Sequence, residues 1–187
     1  HMIPIEIDPN LIVSGSLIIS WHGFFSLLAV ITALILVARW APTKNIDPDD
    51  IYSIGAWGII GGIIGARIVH VIDQWSYYNQ NPYEILALWQ GGIGIWGAIL
   101  GGFIGAALYA KIRKKPVGII ADLTAPALLL AQTIGRLGDI VNGEHCAKTT
   151  ELLFGFIWTS PLSNAKYCDN PIGIAVHPVI GYEILWN

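Results

Sequence analysis

The sequence predicts an all-α, polytopic transmembrane helical bundle, and three observations support this fold class. Only 12% of the 187 residues are charged, whereas an average soluble domain has about 25%. The apolar residues lie in blocks long enough for a helix to cross a hydrocarbon core of about 30 Å. Lysines and arginines collect in alternate connecting segments, as they do on the cytoplasmic side of membrane proteins. We expect four full spans, the start of another, and an N-terminus outside.

A single membrane domain covering residues 1–187 is the simplest organisation that these blocks allow. The net charge of −3 comes with no basic stripe, so a nucleic-acid partner is not expected. His1 and Met2 resemble a cloning remnant and are set aside. Residues 144–176 are a mixed segment that we expect to form an outer loop region.

The first two spans differ in character. The first runs from about Gly15 to Ala38, and its only ionisable side chain is that of His22. It has no basic segment before it, which favours a membrane span over a cleaved signal peptide. The second runs from about Ile51 to Ile72 and is rich in glycine. Small residues at such spacing let two helices approach closely within a lipid bilayer.

Two further spans follow an aromatic connection. Residues 73–90 contain five tyrosines and tryptophans, which predicts a loop at the membrane interface. The third span, about Gly92 to Ala110, repeats the small-residue pattern. The fourth, about Val117 to Ile134, includes Pro126, which would kink it. A last apolar stretch begins at about Pro178.

The basic residues predict the orientation of these spans. Arg39 and Lys44 follow the first span, and four basic residues at 111–115 follow the third, which together make six of the ten in the chain. Those two segments should be cytoplasmic, whereas the 73–90 connection has no basic residue and should be outside. Counting forward places residues 136–144 at the outer face.

The segment Gly135–Glu144, with the sequence GRLGDIVNGE, is the most polar run next to a predicted span. Polar side chains at the edge of a bilayer are costly unless they are paired or functional. Arg136 suits a phosphate, which it would bind while Asp139, Asn142 and Glu144 orient it. The alternative is that Arg136 only extends to the outer interface.

Two other ionisable residues in the spans leave alternatives open. Arg67 is either a second phosphate contact or the ion-pair partner of Asp73 or Glu144. His22 is either a proton acceptor that works near neutral pH or a structural hydrogen-bonding residue.

The remaining histidines and the two cysteines are predicted to be outside the membrane. Three histidines share that side with Glu144 but show no recognised ligand spacing, so no metal site is predicted: His70, His145 and His177. Cys146 and Cys168 lie in one outer loop, where a disulfide is favoured over a pair of catalytic thiols. No cofactor is predicted.

Five segments in order resemble one membrane-enzyme family. They are Ser20–Gly23, Gly65–Arg67, Gly91–Gly102, Gly135–Glu144, and His177-Pro178 with Tyr182-Glu183. Together they cover nearly the whole chain and resemble the phosphatidylglycerol–prolipoprotein diacylglyceryl transferases of bacterial membranes. Gly135–Glu144 matches nine of the ten positions of that family's Gly-Arg-x-Gly-Asn-x-x-Asn-x-Glu signature.

The resemblance implies an enzyme of the bacterial plasma membrane whose active face is outside. It would transfer a diacylglyceryl group from phosphatidylglycerol, taken from the surrounding lipids, to the lipobox cysteine of a prolipoprotein, with no cofactor. We expect the catalytic residues to be His22, Arg136 and Glu144. The expected substrate-binding residues are Arg67, Trp96, Asp139, Asn142, Gly143 and Tyr182.

The sequence departs from the family pattern at several positions. The family has tyrosine at His22, histidine at Trp96, asparagine at Asp139 and glutamine at Ile180, and a further helix with a functional arginine beyond Asn187. Either His22 has taken over the proton-accepting role, or the chain is an inactive paralogue that binds anionic phospholipid or lipopeptide. The glycine-rich spans also allow a third class, a small membrane transporter.

Overall fold

The structure is a computed structural model that describes residues 2–15, 17–170 and 172–187. His1, half of the suggested cloning remnant, lies outside the described residues, as do Ser16 of the predicted first span and Pro171 of the predicted outer loop. The helices are α1 (Trp21–Trp40), α2 (Pro48–Asp73), α3 (Trp75–Tyr78), α4 (Ile95–Ile112), α5 (Val117–Asn142) and α6 (Val179–Trp186). The strands are β1 (Ile3–Ile5), β2 (Asn10–Ser14), β3 (Leu17–Ser20) and β4 (Phe156–Trp158).

Four of the described helices are long and apolar enough to cross a membrane: α1 with its following 3-10 turn, α2, α4 and α5. The short apolar helix α6 follows them. The predicted all-α polytopic class with four spans is therefore confirmed. The position of the N-terminus outside stays a prediction.

Two span boundaries were predicted wrongly. Leu17–Ser20 was assigned to the first span, but it forms β3 and pairs with β2 in antiparallel register, for example Val13 with Ile18. A short apolar run fits a strand as well as a helix, and Gly15 adopts the positive φ of +59° that this turn needs. Helix α5 ends at Asn142, eight residues after the predicted end at Ile134.

The chain divides into two compact units, 1–35 with 125–187, and 36–124. In the first unit, β1 and β4 pair in parallel, with Ile3 opposite Phe156. Residues of this pair form a small core with later parts of the chain: Ile5, Phe156, Trp158, Ala165, Val176 and Ile180. The 144–176 segment, predicted as a loop, thus contributes a strand and core residues.

In the second unit, α2 and α4 pack through glycines. Gly61 and Gly65 of α2 face Gly97, Gly101 and Gly105 of α4. A Cβ added at Gly101 would lie 2.9 Å from the Gly65 Cα and would also collide with the Gly61 carbonyl oxygen. The two backbones are in direct contact, as the small-residue spacing predicts.

Replacing Gly101 by alanine should therefore destabilise this unit. The contact atoms are backbone and cannot rotate away, so we expect the free energy of unfolding to fall by about 1–3 kcal/mol. The melting temperature of the Gly101→Ala variant in detergent measures this loss of stability. Gly118→Ala is the control, because a Cβ there meets nothing within 4 Å. Equal melting temperatures for Gly101→Ala and the unchanged protein would contradict the packing.

The connection between α2 and α4 is more ordered than the predicted loop. It contains α3 and two 3-10 turns, Pro82–Leu86 and Leu88–Gln90. The Tyr77 hydroxyl donates a hydrogen bond to Glu84 Oε2. This bond, with smaller contributions from desolvation and from the nearby Glu84 charge, raises the pKa of Tyr77 above its usual value of 10.0.

Candidate functional site

The last two turns of α5 hold the polar cluster. Gly138 lies against α1, since a Cβ there would lie 2.7 Å from the Cα of His22. This close approach brings the start of α1 beside the end of α5 within the first unit. The helix continues past its apolar part because the polar side chains of these turns pair with one another and with His22.

Asp139 is the centre of the cluster. Its Oδ1 lies 2.7 Å from His22 Nδ1, and its Oδ2 accepts a hydrogen bond of 2.9 Å from Arg136 Nη1. Asp139 is only 5% exposed. A buried carboxylate requires such partners, and each of its two oxygens has one.

Arg136 is held on two of its three nitrogens. Its Nη1 contacts both Asp139 and His145, whose Nε2 lies 2.8 Å away. Its Nε forms an ion pair at 2.7 Å with Glu183 Oε2 of α6. Its Nη2 has no hydrogen-bond partner among the described residues, and the side chain is 32% exposed. The guanidinium is thus fixed in place with one donor nitrogen available to a ligand.

The hydrogen bonds assign the tautomers of two histidines. Asp139 accepts, so His22 Nδ1 carries a proton, and in the neutral ring Nε2 has the lone pair. Arg136 only donates, so His145 Nε2 accepts and its Nδ1 carries the proton. His22 therefore has the free basic nitrogen, and its side chain is 45% exposed.

Asn142 and Glu144 extend the cluster. Asn142 Nδ2 donates to Glu144 Oε2 at 2.8 Å, and Asn164 Nδ2 donates to Asn142 Oδ1 at 2.8 Å. One ring nitrogen of His22 and one carboxylate oxygen each of Asp139 and Glu144 lie within 4.8 Å of one another. The structure thus brings together five of the residues that were predicted for the site: His22, Arg136, Asp139, Asn142 and Glu144.

Gly143, which was predicted to bind substrate, has a backbone role. It adopts a φ of +73° directly after α5, a conformation that favours glycine. A Cβ there would collide with the Ser163 hydroxyl and lie 3.0 Å from the Trp158 ring. This glycine lets the chain turn from the helix into the segment that contains Glu144.

Arg67 lies in the second unit, where backbone carbonyls surround its guanidinium. Five backbone carbonyls accept from its guanidinium, those of Glu84, Ile85, Ala87, Gly91 and Gly92. Within the described part of the chain it forms no ion pair with Asp73, and its role as a second phosphate contact stays a prediction. Arg67 is 6% exposed and braces the α2–α4 connection, with all three nitrogens occupied.

Two other predicted binding residues are outside the Arg136 network. Trp96 lies in the first turn of α4, in the second unit, and is 76% exposed. The Tyr182 hydroxyl lies 3.3 Å from His177 Nδ1. The neighbour of Tyr182, Glu183, is the residue that reaches Arg136.

His145 and Glu183 were missed as site residues. The sequence contained a signal for each, because His145 directly follows the Gly135–Glu144 signature and Glu183 belongs to the last segment that resembles the family. Their contacts with Arg136 depend on how the chain folds back after α5, which spacing alone does not give.

Cys146 and Cys168 are joined by a disulfide, with a Cα–Cα distance of 5.3 Å across 22 residues of sequence. Cys146 directly follows His145, so the bridge fixes the segment that carries a contact of Arg136.

Opening this disulfide should destabilise the protein. Closing a loop of this size contributes about 3 kcal/mol in the chain-entropy model. We expect a lower melting temperature in the presence of a phosphine reductant. The variant with Cys146→Ser and Cys168→Ser should melt at that lower temperature and ignore the reductant. A protein whose melting is the same with and without reductant would rule out a stabilising bridge.

Comparison with known proteins adds an independent line of support. Residues 9–187 match the family model described as prolipoprotein diacylglyceryl transferase. Relatives named phosphatidylglycerol–prolipoprotein diacylglyceryl transferase are 38% identical over 184 residues in Trichormus variabilis and 38% over 183 in Listeria welshimeri. These alignments cover 96% and 97% of this chain but 62% and 65% of the relatives. The chain therefore spans less than two thirds of the length of these relatives.

Proposed function

Because this chain belongs to the prolipoprotein diacylglyceryl transferase family, we propose that it transfers a diacylglyceryl group from phosphatidylglycerol to the lipobox cysteine of a prolipoprotein. The observation that carries the proposal is the geometry of Arg136. Its guanidinium is fixed by Asp139, His145 and Glu183 while Nη2 remains available to a phosphate. A guanidinium fixed before the substrate arrives stabilises charge that develops during the reaction.

The reaction makes two demands on such a site. The cysteine sulfur attacks the glycerol carbon of the diacylglyceryl group that carries the phosphate, forming a C–S bond. The C–O bond to the phosphate breaks, and its electron pair leaves with glycerol phosphate, which gains one negative charge. The thiol proton must pass to a base, because the thiolate is the nucleophile. Arg136 serves the leaving phosphate.

The charges around Arg136 determine how a phosphate fits. Arg136 is accompanied by the carboxylates of Asp139, Glu144 and Glu183. Asp139 and Glu183 bind Nη1 and Nε, which leaves Nη2 for the phosphate. Glu144 accepts from Asn142, which positions the end of the signature. The phosphate binds most favourably where it accepts a hydrogen bond from Nη2 and lies at a distance from these carboxylates.

The protein is a multi-pass membrane protein, given its family and its four apolar helices. We place it in a bacterial plasma membrane with the Arg136 cluster at the outer face. Six of the ten basic residues support this orientation, since they lie in the two connections assigned to the cytoplasm.

The test of this function uses the purified full-length protein, phosphatidylglycerol vesicles and a peptide with a lipobox cysteine. We expect a thioether-linked diacylglyceryl peptide, detected by mass, and one glycerol phosphate released per peptide modified. A peptide with serine in place of the cysteine, and vesicles of phosphatidylcholine, are the controls. Absence of the thioether product under these conditions would contradict the proposal.

Non-catalytic binding of anionic lipid or lipopeptide is the second candidate. It is favoured by Trp96, which cannot accept a proton, and by the carboxylate at Asp139 where the family pattern has an amide. It predicts that phosphatidylglycerol co-purifies with the protein, that Arg136→Ala abolishes this retention, and that no thioether forms. Equal lipid content in Arg136→Ala and the unchanged protein would count against it.

A further inference from the structure

The geometry points to Asp139 as a positioning residue that makes His22 the general base of the proposed transfer. This inference rests on the proposed function and assigns the group that receives the thiol proton. Asp139 is buried and divides its two oxygens between His22 and Arg136. One carboxylate thus orients both the base and the cation that faces the phosphate.

The first step of the argument is the tautomer of His22. Asp139 Oδ1 accepts from Nδ1 at 2.7 Å, which holds the lone pair of the neutral ring on Nε2. The side chain is 45% exposed, so a ligand can approach that nitrogen. The S–H bond of the acceptor cysteine then breaks with its electron pair on sulfur, and its proton moves to Nε2. The resulting imidazolium is paired with the Asp139 carboxylate.

The second step is the pairing of two departures from the family pattern. His22 stands where the resemblance implies tyrosine, and Asp139 stands where it implies asparagine. They are 117 positions apart in sequence but in direct contact. A neutral amide oxygen can accept from a ring N–H, but only a carboxylate also compensates an imidazolium charge. The two replacements therefore suit each other.

The third step concerns the other titratable groups around this pair. Arg136 and His145 lie on the Oδ2 side of Asp139, His145 Nε2 at 3.9 Å from that oxygen. A Glu144 carboxylate oxygen lies within 4.8 Å of a His22 ring nitrogen and of an Asp139 carboxylate oxygen. Glu183 forms an ion pair with Arg136. His145 is the other imidazole of the cluster, so the test must separate it from His22.

The test measures transfer against pH in the full-length protein. The unchanged protein should lose kcat/KM as the pH is lowered, because only the neutral ring of His22 accepts the thiol proton. This measurement needs no substitution, and a kcat/KM without such an acid-side loss would overturn the inference.

Four variants sharpen the test. His22→Gln should lower kcat about 10²- to 10⁴-fold and remove the acid-side loss of kcat/KM. His145→Gln should retain that acid-side loss. Asp139→Asn should lower kcat at least about tenfold, because an amide NH2 replaces one of the two oxygens and would face a donor of His22 or Arg136. Asp122→Asn, on an exposed position of the same helix, is the matched control and should retain full transfer.

The double variant His22→Gln with Asp139→Asn completes a double-mutant cycle that measures the coupling of the two residues. Without His22, the asparagine oxygen is free to accept from Arg136, so the double variant should be no more than about threefold worse than His22→Gln alone. Losses that multiply would overturn the pairing of the two residues. Transfer that is absent from the unchanged protein defeats the proposed function itself, whereas transfer unaffected by His22→Gln defeats only this inference.

Discussion

Arg136→Lys is expected to lower kcat/KM for diacylglyceryl transfer by about 10²- to 10³-fold. The guanidinium uses Nη1 and Nε to bind Asp139, His145 and Glu183, and it offers Nη2 separately to the phosphate. A lysine ammonium is one point charge, so it cannot keep these protein contacts and also present a donor in a fixed direction. Thioether formation from phosphatidylglycerol and a lipobox peptide measures the loss.

The control for Arg136→Lys is Arg113→Lys. Arg113 is exposed directly after α4, where the same exchange should leave transfer unchanged. Melting temperatures of both variants in detergent separate a loss of fold from a loss of function. A folded Arg136→Lys variant with the unchanged rate would show that the leaving phosphate does not depend on this guanidinium.

Arg67→Met is expected to produce the largest loss of stability among single changes outside the Arg136 cluster. It removes the guanidinium that donates to five backbone carbonyls, those of Glu84, Ile85, Ala87, Gly91 and Gly92. The Glu84 carbonyl keeps a second donor in the Ala87 amide. A buried carbonyl left without a donor costs about 1–3 kcal/mol, and several of these are at least partly buried, so we expect a loss of about 3 kcal/mol or more. Thermal unfolding gives the magnitude, and faster amide hydrogen exchange over residues 82–94 gives the location.

The outcome for Arg67→Met also separates two roles of this arginine. Arg113→Met is the matched control, since it removes an exposed arginine that has no such carbonyl contacts. If Arg67→Met keeps its stability but loses phosphatidylglycerol, Arg67 is a ligand-binding residue and the brace described here is wrong. If stability falls and exchange rises in the connection, the structural role is supported.

The membrane-spanning helices could be predicted from the sequence because hydropathy and length determine them. Contact of α2 with α4 was also accessible, since glycine spacing is readable along the chain. The end of α5 was not, because hydropathy falls at Ile134 although the backbone continues to Asn142. These polar turns have partners that are remote in sequence, such as His22 for Asp139 and Glu183 for Arg136.

Much of the candidate site was predicted from the residues that carry the family resemblance. His22, Arg136, Asp139, Asn142 and Glu144 do lie together. For Arg67, the sequence shows that an arginine is near a membrane edge but not that backbone carbonyls surround it. His145 and Glu183 belong to segments that fold back onto Arg136, and only the structure gives those contacts.

The most direct test of this account is an experimental structure of the full-length protein in a bilayer that contains phosphatidylglycerol. We predict a lipid phosphate within hydrogen-bond distance of Arg136 Nη2, while Asp139 and Glu183 remain on Nη1 and Nε. A phosphate bound elsewhere, with Nη2 of Arg136 engaged by protein alone, would contradict the central claim that this arginine holds the lipid headgroup.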